Sequence, residues 1–203
     1  MITPTVPTPA VTGPTRIAPV APPERKSAAR TRLLRSRLIA SDTVWAAMTS
    51  AMLILVAGAL TLATSQPWLF AALGPTVIVI ACTPGQSTSR FHSVVVGHLS
   101  ALLCAWLVVV VVGVNSASVS DGAISVARVW ASAMAVALIA VVQPSLRADH
   151  PPSAATALLI TMGAYHVTMR SSLAMMGGVA IIALMGELFQ RIRLRDEPAR
   201  RSA

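Results

Sequence analysis

The sequence predicts an all-α, polytopic helical membrane protein, and three observations carry that prediction. Of its 203 residues, 55% are hydrophobic and only 11% are charged. Several charge-free windows run to about 20 residues, the length that crosses about 30 Å of hydrocarbon as a helix. These windows are apolar on every face, whereas a soluble helix keeps one polar face toward water. The pattern gives about six apolar segments in two weakly similar halves, two of them short and interrupted by Gly or Pro. Four full spans plus two re-entrant segments is the alternative.

The net charge of +9 does not point to nucleic acid. Its Lys and Arg concentrate in the two tails, beside apolar segments, where membrane lipids with anionic headgroups are the natural partners. Cys82 and Cys104 fall in or beside apolar runs and are expected as free, buried thiols.

The chain divides into a tail, a membrane domain and a second tail. Residues 1–40 are rich in Pro, Thr, Ala and Arg and bury too little to offset the entropy of ordering, so a disordered basic tail is expected, with Arg30 to Ile39 able to lie on a membrane as a short surface helix. No secretory signal is visible; an Arg-rich organellar transit peptide is the other reading of this tail. Residues 41–190 hold the membrane domain. Ser41 and Asp42 suit the N-cap of a first span, Val44 to about Ala63. Pro67 to Cys82 is short and broken at Gly74-Pro75. After a polar loop carrying Arg90 comes a full span, Ser93 to Val114, with His98 near its start. The polar Asn115 to Gly122 loop leads to a span from about Ile124 to Val142. Pro151 and Pro152 then open a second short helix, since Pro in a first helical turn removes no intrahelical bond. Pro152 to Ala164 would rise roughly 20 Å, too little to cross comfortably. A turn with His166 and Arg170 precedes a last span, Ser172 to Phe189, and residues 191–203 form a basic tail.

The halves show a weak repeat. Pro67 and Pro75 have the spacing of Pro144 and Pro152, with Thr76 and Ser153 next in line; Thr83 and Gly85 resemble Thr161 and Gly163; Thr88, Arg90 and Gly97 match Thr168, Arg170 and Gly177 in spacing. Paired short, Gly/Pro-interrupted segments at matching places in two halves mark a transporter's binding site. Two basic tails place both termini in the cytoplasm by the positive-inside rule and require an even number of crossings. Six crossings put Arg90 and Arg147 inside with Asp121 and Arg170 outside, and are preferred to four. The membrane expected is the bacterial inner (plasma) membrane.

The ionisable groups near the apolar segments are His92, His98, His150, His166, Arg90, Arg128, Arg147, Arg170, Asp121, Asp149 and Glu187. Arg147 and Asp149 can neutralise each other; Glu187 faces Arg191, its i+4 neighbour; His98 can hydrogen-bond across a helix interface. No metal-ligand pattern or catalytic triad is evident, since Asp149 beside His150 in sequence does not make one. Neither an enzyme nor a cofactor is expected.

His150-Pro151-Pro152-Ser153-Ala154-Ala155-Thr156-Ala157-Leu158 closely resembles the signature of the HPP family of integral membrane proteins. Gly97-His98-Leu99-Ser100-Ala101 looks like that family's second block, and Leu73-Gly74-Pro75-Thr76 is similar to its glycine-containing turn. Arg90 falls where the family usually has an Arg before the Gly-His block. The resemblance runs from about Pro67 to Phe189. It departs at Ser153-Ala154, where Ala-Gly is usual, and at Thr88-Ser89-Arg90, which lacks the customary proline. It implies a small helical membrane protein, with nitrite transport the function attached to some members. The expectation is therefore a transporter or channel for a small inorganic anion, nitrite first, held at a half-helix N-terminus by His150, Pro151, Pro152, Ser153, His98, Arg90, Gly74 and Thr76. A membrane scaffold or sensor is the alternative. A homo-oligomer packed through Gly177-Gly178 would suit so small a protein.

Overall fold

A computed structural model describes residues 25–114 and 124–201, with side chains over 40–114 and 124–195. Residues 1–38 and 39–203 form two units; the bundle belongs to the second. The elements are α1 (Arg25–Thr64), α2 (Leu73–Cys82), α3 (Phe91–Val112), α4 (Val126–Ser145), α5 (Ala154–Thr161) and α6 (Met169–Arg201), with 3₁₀ turns at Ser87–Ser89 and Pro151–Ser153. Helix bounds follow local chemistry. α3 stops at Gly113, whose φ of 75° is the left-handed cap geometry glycine adopts without strain. α4 starts at Ser125, whose side chain accepts the Arg128 N–H.

Four stretches are apolar and long enough to cross a membrane alone: Ala40–Thr64, Phe91–Val112, Val126–Ser145 and Met169–Arg195. Large apolar side chains face outward, Leu62 at 85% exposure and Val111 at 70% among them, as a bilayer solvent requires and water does not. α2 has 10 residues and α5 has 8, which rise roughly 15 Å and 12 Å at 1.5 Å per residue.

Neither short helix spans alone, yet the chain crosses at both places. Asp42 pairs with Arg193, and that guanidinium lies over the Trp45 ring, so the span in α1 begins beside the end of α6. It ends beside the start of α6, where Arg170 donates to Gln66 at 3.0 Å. α3 nevertheless begins on the first side, because Gln190 reaches the Ser89 carbonyl just before it. Residues 65–90 must therefore pass from the far side back to the tail side. The second half repeats this in reverse: Gln143, near the end of α4, donates to Gly97 O near the start of α3, and α6 starts on the far side, so 146–168 travel outward. The chain thus traverses the bundle six times, the two short helices being completed by non-helical stretches. Such backbone is tolerable at that depth only where protein covers it, and Phe70, Ala72 and Ala148 are buried.

The paired landmarks coincide in structure. Thr83 and Thr161 each return a hydroxyl hydrogen bond to the carbonyl four residues earlier, at 2.6 and 3.0 Å. Gly85 and Gly163 follow with φ of 81° and 79°. Each half also clasps the other's broken segment. A Cβ on Gly97 of α3 would sit 2.6 Å from His150 Cβ, and one on Gly178 of α6 would sit 2.8 Å from the Trp68 carbonyl. The halves are thus alike and inverted.

Several expectations are corrected. Residues 25–40 are helical, because their Arg, Ala, Leu and Lys are strong helix formers; Ser41 and Asp42 accordingly lie inside α1 and not at its start. α6 likewise continues through the basic tail to Arg201. Arg147 and Asp149 are both exposed, and among the described residues the ion pairs are Arg193–Asp42 and Arg191–Glu187, the latter the expected i+4 pair at 2.6 Å. Cys104 is buried but Cys82 is exposed. Gly177-Gly178 is covered by Trp68 of the same chain. Asp121 and the Asn115 to Gly122 loop lie outside the described residues.

Candidate functional site

α2, α3 and the Pro151–Ser153 turn meet inside the bundle, and each contributes polar side chains to one buried cluster. Thr76 comes from the first turn of α2, His98 from α3, and His150, Ser153 and Thr156 from the entry to α5. All five are fully buried at 0% exposure. His98 is the hub: its Nε2 lies 2.9 Å from Thr76 Oγ1 and its Nδ1 2.7 Å from Thr156 Oγ1. The His150 ring packs 5.2 Å from it, centroid to centroid, and Phe70 presents its ring at 6.3 Å in edge geometry.

His150 is fixed at both ring nitrogens. Nδ1 lies 2.8 Å from the Thr88 carbonyl; a carbonyl only accepts, so Nδ1 carries the proton. Nε2 is 3.4 Å from Thr76 Oγ1. Its backbone is held by Gln143, whose Oε1 accepts the His150 N–H at 3.2 Å while Nε2 donates to Ser153 Oγ at 2.6 Å and Gly97 O at 3.0 Å. Ser153 closes the turn by donating to His150 O at 2.7 Å.

The short-helix N-termini differ from expectation in one respect. Pro151, Pro152 and Pro75 have no N–H, and the neighbouring donors are engaged: Ser153 N with His150 O, Leu73 N with Phe70 O and Gly74 N with Ala71 O. The donors that can turn toward a guest are therefore hydroxyls and imidazoles, set in the positive field at the starts of α2 and α5. Every described buried side-chain N or O has a hydrogen-bond partner, so the cluster is closed upon itself.

Thus His150, Pro151, Pro152, Ser153, His98 and Thr76 come together. Gly74 is in the same first turn of α2, with nothing within 4 Å of where a Cβ would be. Arg90 stands apart, exposed at the N-cap of α3 on the tail side. Sequence reasoning missed Gln143 and Thr156. Gln143 carried a signal, since Gln143-Pro144 repeats Gln66-Pro67 at the spacing of the proline pairs; Thr156 looked like one more small residue in an apolar helix.

Two polar knots finish the short helices. On the tail side Gln190, 6% exposed, donates to Ile80 O at 2.9 Å and accepts from Gly85 N at 3.2 Å. On the far side Arg128, 5% exposed, donates to Thr161 O at 2.8 Å and Val114 O at 2.9 Å, placing a cation at the negative end of α5. Arg128 also lines a cleft of about 310 Å³ with Trp106, Ile160, Tyr165, His166 and Thr168.

The model of one family, described as HPP, transmembrane region, matches residues 35–198. No curated protein and no solved structure matches the chain. The match takes in every crossing, both broken segments and the whole buried cluster, and on that extent the chain belongs to the HPP family of integral membrane proteins.

Proposed function

We propose that this protein moves a small inorganic anion across a membrane, nitrite first and other monovalent anions next, by way of the Thr76, His98, Thr156 and His150 cluster. The observation that carries the reading is a fully buried set of hydroxyls and imidazoles placed where two inverted, broken helices meet. Polar side chains at membrane depth are costly and mark substrate pathways, and broken helices of two inverted halves are where such sites form. An anion suits the chemistry better than a cation. The cluster offers O–H and N–H donors and helix starts, while Asp149 is exposed and Glu187 is paired with Arg191. The exposed Asp149 is also ill placed to orient His150 for catalysis, which favours transport over an enzyme.

The tail side, with Arg90, Arg147, Arg191, Arg193 and Arg195, is the cytoplasmic side by the positive-inside rule, and the membrane is the bacterial plasma membrane. Arg90 gathers anions at that mouth. The test is nitrite entry into liposomes holding the purified protein. Entry exceeds that into protein-free vesicles, and His150→Ala lowers it about tenfold, a rise of ~1.4 kcal/mol in the barrier, while the protein stays folded. Entry no faster than into empty vesicles, for nitrite and every other small anion tried, overturns the reading and leaves a scaffold or sensor.

A further inference from the structure

We propose that His150 takes up one proton with each anion, so that transport is an electroneutral symport of anion and proton; this rests on the transport reading above. The geometry around Thr76 carries it. One hydroxyl oxygen has three partners: Ala72 O at 2.9 Å, His98 Nε2 at 2.9 Å and His150 Nε2 at 3.4 Å. A hydroxyl has one proton and two lone pairs, so it holds all three only when both imidazoles donate to it; while His150 Nε2 is a bare acceptor, the one proton cannot go to both that nitrogen and Ala72 O. It serves two arrangements that differ in charge.

With both imidazoles neutral, His150 Nδ1–H donates to Thr88 O and its Nε2 is a bare acceptor. The hydroxyl of Thr76 then donates to His150 Nε2 and accepts from His98 Nε2–H, while Thr156 donates to His98 Nδ1. With a proton added at His150 Nε2, that nitrogen becomes a donor. Thr76 turns its own proton to Ala72 O and accepts from both imidazoles. Every hydrogen bond in each arrangement uses a contact already formed. A hydroxyl that only braced the helix would need Ala72 O alone, the ordinary bond of a helical Thr to the carbonyl four residues back.

Charge balance gives the proton its task. No other ionisable side chain among the described residues is a hydrogen-bond partner of either imidazole. α2 contributes only the exposed Cys82, and α5 contains no titratable residue. Arg90 at the N-cap of α3 and His92 within it are exposed, as are Arg147 and Asp149 after α4, and the remaining titratable group of α3 is the buried Cys104 thiol. Arg128 of α4 is engaged at the opposite end of α5, and Glu187 of α6 is paired with Arg191. Among the described residues an anion at this depth therefore meets no fixed cation, and a proton arriving with it supplies the missing charge. The proton is drawn from the solution the anion leaves and released from Nε2 to the solution it enters. One proton and one anion cross, no net charge moves, and Thr76 returns to its first arrangement.

The test uses the full chain in liposomes, a pH-sensitive dye in the lumen, and valinomycin with potassium to set the voltage. Nitrite is added outside, and the signal from protein-free vesicles is subtracted to remove diffusion of the neutral acid. The proposal expects the protein-dependent lumen acidification to match nitrite entry one for one and to be unchanged by imposed voltage. Nitrite entry without matching acidification, or entry that follows the voltage, overturns the proposal and leaves the transport reading standing. No nitrite entry through folded protein sinks both. Thr76→Val keeps the shape and removes the hydroxyl; it slows coupled entry several-fold, and Thr76→Ser keeps it near wild type. A Thr76→Val protein with wild-type rate and ratio contradicts the role given to this hydroxyl. If that variant does not fold, the wild-type ratio alone decides.

Discussion

Gly97 shows how closely the site is fitted. A Cβ there would lie 2.6 Å from His150 Cβ and 3.3 Å from Ala148 O, both attached to backbone that Gln143 already fixes. Gly97→Ala must push the two inverted halves apart, and overpacking of this kind costs ~1–3 kcal/mol. Gly74 is the control, since nothing lies within 4 Å of its missing Cβ; Gly74→Ala in a helical first turn is neutral or stabilising by up to ~1 kcal/mol. Thermal unfolding in detergent is expected to show a clear fall in Tm for the first and none for the second. At this scale the sequence was informative wherever a residue type was rare in its surroundings. His98 and His150 stood out in apolar runs and proved to be neighbours. Arg90 stood out equally and proved to be exposed, because a loop charge beside a span looks the same whether it faces a site or the solution. Thr156 was illegible, since a helical Thr that bonds its own backbone and one that holds a distant imidazole are written alike.

The short helices are the elements on which the fold turns, and each depends on a knot at its end. Gln190 ties the end of α2 to α6 through Ile80 O and Gly85 N. Gln190→Leu keeps the volume and strands those buried groups, so it should destabilise the protein by ~1–3 kcal/mol; a Tm equal to wild type would show that the knot is not needed to close the tail side. Residues 2–24 carry little to bury or pair, so their deletion is expected to leave folding and nitrite entry at wild-type levels, read by size-exclusion profile and flux. Loss of either would mean that the tail docks. The starts of the short helices were readable because Pro suits a first helical turn, where Pro75 and Pro151 both lie; the break expected at Gly74-Pro75 falls instead before Leu73, since α2 runs through both residues. The extent of the flanking helices was not readable. Nothing in Arg25 to Ala40 separates a solvated basic tail from the first turns of a long helix, since Arg, Ala and Leu suit a helix and Arg also suits water.

For the whole molecule, the account requires six crossings and both termini on one side, although only four stretches are long enough to span alone. A cysteine placed at Arg147 and one placed at Ser87 should react with an impermeant reagent only from the terminal side, and one at Arg170 only from the other. The same side for all three would mean that the short helices turn back and would remove the inverted relation between the halves. That relation was visible in the sequence as a proline spacing. Its meaning needed the contacts, because a repeat written in an apolar chain does not say which way each copy runs. The central claim is that an anion passes the cluster where the two broken helices meet. It is tested most directly by Ser153→Cys in a protein whose Cys82 and Cys104 are replaced by Ser, treated with a small thiol reagent in liposomes. The account predicts that modification abolishes nitrite entry and that nitrite present during treatment slows the modification in proportion to its occupancy. Modification at an unchanged rate in saturating nitrite, or a modified protein that still carries nitrite at the unmodified rate, would contradict it.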